Sequence, residues 1–279
     1  MPILNPEHAY SEYIVDLKPG ESFPQHHIKV RPEDISRYCF IPGSHLRGRK
    51  MAERLDDCRV VGATRGYYIY TGTYKGVRMS ICSTGMGGPV VAIAMEELGR
   101  LGVDTFVRVG SAGAYQDDLG VGDIALATAT FRAGGTSCNY LPGNFPAVAD
   151  FFLTHDLVEA ARNLGITVHT GVCSAGDAFY GRKDANQAAL LKKAGVVAVE
   201  MESDTQFIVG AYNNWRCAAG FVLDGGNAKK IKESSSADME IANHATNDEF
   251  IQGEDDLITV ALEGMVRCAM RDAAAKEAR

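Results

Sequence analysis

Basic residues do not dominate this sequence: 28 Lys and Arg stand against 35 Asp and Glu, a net charge of −7 over 279 residues. A nucleic-acid binder usually shows a basic excess or stripe, so that class is disfavoured, whereas a small anionic ligand needs no more than a local cluster of arginines. No C-x-x-C pair occurs, and the seven cysteines at 39, 58, 82, 138, 173, 217 and 268 are odd in number and widely spaced. Neither a disulfide framework nor a zinc site has that pattern, and free thiols in a reducing compartment explain it. There is no H-E-x-x-H, no Cys/His pair at ligand spacing and no G-x-S-x-G elbow, so neither a metal site nor a hydrolase triad is expected. No apolar run approaches the roughly 20 residues needed to span a bilayer. The first residues carry Glu7, Glu12, Asp16 and Glu21 without a basic start or an apolar middle, unlike a secretory signal. These absences predict a soluble cytoplasmic protein with no membrane or nucleic-acid partner.

A chain of this length can bury about 75% of its unfolded surface, so it needs no metal or disulfide to fold. Residues 1–25 read as a loosely structured arm and 26–279 as one domain, with no repeat, linker or composition shift to divide it. Apolar runs at Tyr38–Ile41, Arg59–Gly62, Gly66–Tyr74 and Val77–Thr84 predict strands, with Tyr74-Lys75-Gly76 as a hairpin turn. Further strands are predicted at Asp104–Val109, Val121–Thr130, Thr167–Cys173, Val196–Val199 and Cys217–Leu223. Helices are predicted at Arg47–Leu55, after Pro89, and at Ala149–Leu164, Asp184–Lys193, Glu202–Ala211 and Asn243–Ala274. On the helix after Pro89 the apolar face is Val90, Ile93, Ala94, Leu98 and Leu101, with Glu97 as its polar interruption. The alternation predicts an α/β fold: a central mixed twisted sheet with helices on both faces, and ligands beyond the carboxyl ends of its strands.

Several clusters carry chemistry. Arg108 lies within the apolar run Phe106–Val109, where an arginine is rarely left unpaired. It reads either as half of an internal salt bridge or as an anion site, because a guanidinium fork matches phosphate oxygens. Arg47 follows Gly43 at a strand-to-helix turn, Arg65 lies between two strands, and Ser111 closes the Arg108 strand. Ser83-Thr84-Gly85-Met86-Gly87-Gly88-Pro89 joins a strand to a helix, a place where backbone amides can approach an anion, yet it fits neither the Walker nor the G-x-G-x-x-G spacing. Glu200-Met201-Glu202 offers two acceptors suited to the vicinal hydroxyls of a sugar and a thioether to pack beneath it; acids at a helix start are the plain alternative. Phe179 reads as a platform for a flat base or as core, and Asp224, ending a strand, as a general acid or a turn former. His26 and His27 adjoin near the start.

In their order, Tyr70–Gly76, Ser83–Pro89, Arg108–Ser111, Asp177–Tyr180 and Val199–Ser203 resemble the hexameric nucleoside phosphorylase family over roughly residues 26–270. Asn144-Phe145-Pro146-Ala147-Val148-Ala149-Asp150 resembles its uridine phosphorylase branch. The resemblance implies a pentosyltransferase of nucleoside salvage that converts a nucleoside and inorganic phosphate to free base and (deoxy)ribose 1-phosphate, with phosphate as co-substrate and no cofactor. It assigns phosphate to Gly43, Arg47, Arg108 and Ser111, with Arg65 lent by a neighbouring subunit. It assigns ribose to Glu200, Met201 and Glu202, with His27 reaching across a dimer to the 5′-hydroxyl, and the base to Ala112, Gly113, Phe179 and Arg182. Arg108 and Asp224 then stand in the catalytic roles. A site shared in this way implies a homodimer at least, and a hexamer of three such dimers.

Three features depart from the family. Its usual Gly-Asp-Pro at the phosphate turn is Gly43-Ser44-His45 here, and the inserted loop that reads a pyrimidine after the Phe-Tyr pair is replaced by the short Gly181-Arg182-Lys183-Asp184. Asp224 falls where the resemblance to the purine branch places the acid that protonates the base, but the basic partner used there is not evident; a purine phosphorylase using Asp224 as general acid is therefore an alternative. A hydrolytic nucleosidase has no use for three arginines. A nucleoside-binding protein without activity is the alternative from a different class.

Overall fold

The computed structural model describes residues 22–23, 25–181, 184–225 and 246–278. Of the arm expected at 1–25, residues 22, 23 and 25 are described, and Gln25 is buried. Among the described residues ten strands form one sheet: β1 (Tyr38–Phe40), β2 (Asp56–Thr64), β3 (Tyr67–Tyr74), β4 (Val77–Ser83), β5 (Thr105–Ala114), β6 (Ile124–Ala133), β7 (Ala147–Val148), β8 (His169–Gly176), β9 (Ala198–Glu200) and β10 (Arg216–Gly225). Among the described residues six α-helices accompany them: α1 (His45–Ala52), α2 (Gly88–Gly99), α3 (Phe151–Leu164), α4 (Ala185–Lys193), α5 (Ser203–Asn213) and α6 (Asp248–Glu277). The mixed α/β architecture is the one the alternation of patterns predicts.

The sheet is more curved than an open one. β5 pairs with β10, β10 with β6, β6 with β8, β8 with β9, and β9 returns to β5, so the pairings close a ring. β1, β4, β3 and β2 continue outward from β5. Closure leaves two apolar layers. On one, Val91, Met95 and Leu98 of α2 and Phe207 and Ile208 of α5 pack over Phe106, Ala112 and Phe221. On the other, Met51 of α1, Leu153 and Leu157 of α3, and Leu257, Val260 and Met265 of α6 pack over Val107, Val109 and Val222.

Boundaries differ from the pattern reading at several places, those of β5, β8 and β6 among them. β5 runs through Gly110-Ser111-Ala112-Gly113 to Ala114 instead of leaving the sheet at Val109, because β10 pairs with it as far as Gly113 and β9 takes Gly113 and Ala114. The small residues are required there: a Cβ on Gly110 would lie 2.7 Å from the Phe221 ring. β8 likewise continues to Gly176, paired with β6. β6 begins at Ile124, after Val121, because Gly122 turns the chain with φ +89°.

N-cap side chains cap four of the helix starts. Ser44 caps α1 by accepting from the Arg47 N–H, Asp150 caps α3 through Leu153, Asp184 caps α4, and Asn247 caps α6 through Phe250. At the end of the sheet where β5 and β10 begin, Asp272 of α6 binds Arg216 and the Tyr38 hydroxyl, the latter at 2.9 Å. There too Trp215 lies against Gly99, where a Cβ would come within 2.1 Å of the indole.

Candidate active site

Two turns meet above the middle of β5. One follows β1 (Pro42-Gly43-Ser44) and the other follows β4 (Thr84 to Gly87). The Thr84 N–H donates to the Pro42 carbonyl at 2.9 Å and the Gly85 N–H to the Gly43 carbonyl at 3.1 Å. Beneath them lies the Arg108 guanidinium, 3% exposed. It is so close that a Cβ on Gly43 would stand 3.2 Å from Arg108 Nη2 and 3.1 Å from the Gly85 carbonyl oxygen. A side chain at 43 would thus crowd both the turn and the guanidinium.

Arg108 donates through Nη2 to Glu202 and through Nη1 to the Ile41 carbonyl at 3.5 Å, and its Nε lies 3.6 Å from Glu200. The salt-bridge reading and the anion-site reading of this arginine therefore concern one place: its internal partners are the two carboxylates of the Glu200-Met201-Glu202 segment. Glu202 also accepts from the Gly87 N–H. The glycine-rich turn after β4 does aim an amide at an anion, and that anion is the chain's own Glu202. Gly85 and Gly87 have φ of +82° and +99°, which favour glycine.

Glu200 and Glu202 are buried at the junction of β9 and α5, and they do different work. Glu200 accepts from the Ser203 N–H at 3.0 Å, the Ser203 hydroxyl at 2.6 Å and the Glu202 N–H at 2.9 Å, so it caps α5. Burial, reinforced by the negative charge of Glu202, pushes its carboxyl up to about 7, against the pull of Arg108 and Ser203. Met201 between them is half-buried. Ser111 and Gly113 are half-buried and Ala112 is buried, all within β5.

Arg47 enters from α1 on the other side of β5. Its Nε donates to Glu254 of α6 at 2.7 Å and its Nη1 to the Val109 carbonyl at 3.3 Å. Burial lowers its affinity for the proton, and Glu254 opposes this. Glu254 also takes Lys50, and the two cations outweigh burial and hold its carboxyl below the ordinary range. Glu254 escaped the sequence reading. Its signal there is a charge at 254 on the α6 stripe that carries Phe250, Leu257 and Ile258. Asp224 falls at the register shift between Leu223 and Gly225 of β10, within electrostatic reach of Arg47.

Arg65 and Gly66 form the exposed turn between β2 and β3, with φ of +51° and +82°. The neighbouring Thr64 hydroxyl donates to the carbonyl of His27. The two residues that the resemblance sends across a subunit boundary thus share one edge of the molecule. Phe179 is 45% exposed and meets Tyr180 edge to face at 4.9 Å. Its segment is anchored by Asp177, which accepts from the Gly135 N–H at 2.6 Å. Arg182 lies outside the described residues. Among the described residues no group of three or more His, Cys, Asp or Glu is placed to hold a metal ion, and no helix is long and apolar enough to cross a membrane.

Comparison with known proteins gives this arrangement a context. A family model described as the phosphorylase superfamily matches residues 37–253. A uridine phosphorylase of Thermococcus kodakarensis is 37% identical over 253 residues, covering 86% of this chain and 85% of the relative. A guanosine phosphorylase of Halorubrum lacusprofundi is 36% identical over 221 residues, covering 79% of this chain and 91% of the relative. Among solved structures, the uridine phosphorylase of Vibrio fischeri ES114 superposes with a TM-score of 0.79 at 27% identity, over 90% of this chain and 100% of that one.

Proposed function

The chain belongs to the phosphorylase superfamily and is a nucleoside phosphorylase, a pentosyltransferase; we propose that its nucleoside is of the uridine type and that its site is shared between subunits. The observation that carries the site reading is the buried Arg108 guanidinium beneath the Gly43 turn, flanked by Glu202. Phosphate entering that turn replaces carboxylate oxygens with phosphate oxygens on the Arg108 fork. Glu202, relieved of Arg108, is then free to accept from the vicinal hydroxyls of the ribose, over Met201. Arg47, held by Glu254, adds a second cation, the Ser111 hydroxyl a donor, and the partner subunit's Arg65 a third cation.

In the reaction a phosphate oxygen forms a bond to C1′ as the N-glycosidic bond breaks. The electron pair of that bond leaves with the base. Positive charge building on the sugar ring is met by the phosphate dianion, and negative charge on the base by hydrogen-bond donors or a proton. Holding both reactants in one cleft supplies much of the acceleration through positioning. Inorganic phosphate is the co-substrate. Ala112, Gly113 and Phe179 border the base in this reading, and Arg182 is its candidate polar reader. We place the enzyme in nucleoside salvage in the cytoplasm, as a hexamer of three dimers.

A purine reading has two observations in its favour, the acid Asp224 at the end of β10 and the short segment after Tyr180. The deciding experiment measures base release from uridine, thymidine, inosine, adenosine and guanosine, each with and without phosphate. Phosphate-dependent release from uridine is expected. Release from inosine or guanosine with uridine untouched would overturn the pyrimidine reading and make Asp224 the acid. Release that ignores phosphate would overturn the phosphate site.

A further inference from the structure

Glu97, the one charged group on the apolar face of α2, has no place in the site as described so far. Its side chain is 6% exposed and turned toward residues 26–28. It accepts from the N–H of His26 at 3.1 Å, of His27 at 2.7 Å and of Ile28 at 2.9 Å. It also meets the His27 ring, Nδ1 to Oε1, at 2.6 Å. The His27 carbonyl is held from the other side by the Thr64 hydroxyl. His27 is therefore fixed at its backbone N–H, its carbonyl and one ring nitrogen.

These contacts have a chemical consequence. Burial opposes ionisation of Glu97, and the His27 and Ile28 hydrogen bonds outweigh it, so the carboxyl stays below its ordinary range and is an acceptor. An acceptor at 2.6 Å requires the hydrogen of the imidazole to sit on Nδ1. In the neutral ring Nε2 is then an acceptor, in an imidazole that is 30% exposed. We infer that Glu97 is a positioning residue: it locks His27 in the Nδ1–H form and aims Nε2, as an acceptor, at a hydroxyl of the nucleoside bound in the partner subunit. This rests on the reading of His27 given above. An apolar residue at 97 would pack α2 equally well and leave three backbone N–H groups and the imidazole without an acceptor.

The test uses the full-length enzyme and the ratio of kcat/KM on uridine to that on 5′-deoxyuridine. A single neutral hydrogen bond to the 5′-hydroxyl sets that ratio at about tenfold. His27→Ala and Glu97→Gln are each expected to bring it towards one, and the double variant to go no further. A Glu97→Gln enzyme that loses activity equally on both nucleosides, keeping the ratio, would make Glu97 a plain anchor of the segment and overturn the inference. Nitrogen-15 NMR of labelled histidine reads the other half without any substrate. The wild-type His27 signal is expected in the Nδ1–H form, shifting towards the Nε2–H form in Glu97→Gln; an Nε2–H wild type would overturn the inference even if Glu97→Gln fails to fold. If uridine is not cleaved, the nucleoside that is cleaved and its 5′-deoxy form replace the pair, so failure of the uridine reading and failure of this one remain distinct.

Discussion

Replacing Arg108 with alanine removes the cation shared by Glu200 and Glu202 and leaves two buried carboxylates facing each other. Breaking a buried ion pair by deleting one partner costs ~3–5 kcal/mol. With an unfolding entropy of about 2.1 cal/mol/K per residue over 279 residues, that is a fall in Tm of about 5–9 °C. The loss depends on pH, and its sign follows from Glu200, whose carboxyl is already pushed up to about 7 by burial and by Glu202. Losing Arg108 raises it further. A carboxyl whose folded pKa is raised helps the fold while protonated, and that help is lost as pH rises through the folded value. The Tm deficit of Arg108→Ala should accordingly be larger at pH 8 than at pH 6, and adding Glu202→Gln should recover most of it. Calorimetry of the three proteins at both pH values measures this. Phosphate-dependent kcat/KM should fall about 100–1000-fold, the usual result of deleting one stabilising donor at a developing charge. An Arg108→Ala protein melting within about a degree of the parent at pH 8 would refute the ion-pair reasoning. A normal response to phosphate in that protein would refute the phosphate assignment.

Glu254→Gln should raise the KM for phosphate about tenfold with a smaller change in kcat, because Arg47 loses the charge-assisted bond that aims its fork; steady-state kinetics with phosphate varied reads it. Gly253→Ala puts a Cβ 2.1 Å from the Gly122 carbonyl oxygen, a backbone atom that cannot swing aside. An overpacking cost of ~1–3 kcal/mol lowers Tm by about 2–5 °C in a thermal melt. Glu97, Glu254 and Asp272 all have carboxyls held below their ordinary range, against burial, by the bonds they accept. Groups with depressed folded pKa values contribute stability above the unfolded value and lose it on acidification, so denaturant titrations should show stability falling below about pH 4.5. Asp272→Asn should flatten that fall.

What the sequence revealed and what it hid divide along the range of the interactions involved. Strand and helix positions and the Lys75-Gly76 hairpin are local, written in period and in one or two residues. The extension of β5 through Gly110 to Ala114 was not legible, because glycine and alanine read as a turn until β9 and β10 are present to pair with them. Arg108 was open between an ion pair and an anion site because spacing cannot name a partner 94 positions away. Glu254 was missed for the same reason, at 207 positions from Arg47. Glu97 was visible as an interruption of an apolar face, yet nothing in the run from Gly88 to Gly99 says that residues 26–28 will lie against it.

The chain has one tryptophan, and its place sets what light can report. Trp215 fills the room left by Gly99, with its ring centroid 5.5 Å from that of Phe106, where β10 begins. Asp224 stands next to the end of the same strand, about 30 Å from the indole at roughly 3.3 Å per residue. Selective excitation of the indole therefore samples the seam between α2 and the start of β5, where Phe106 stands two residues before Arg108. Its emission is an intrinsic gauge of whether the barrel is intact, readable without a label. A change in that emission on adding phosphate would mark a rearrangement carried from the Arg108 site along β5 to Phe106, the ring packed on the indole.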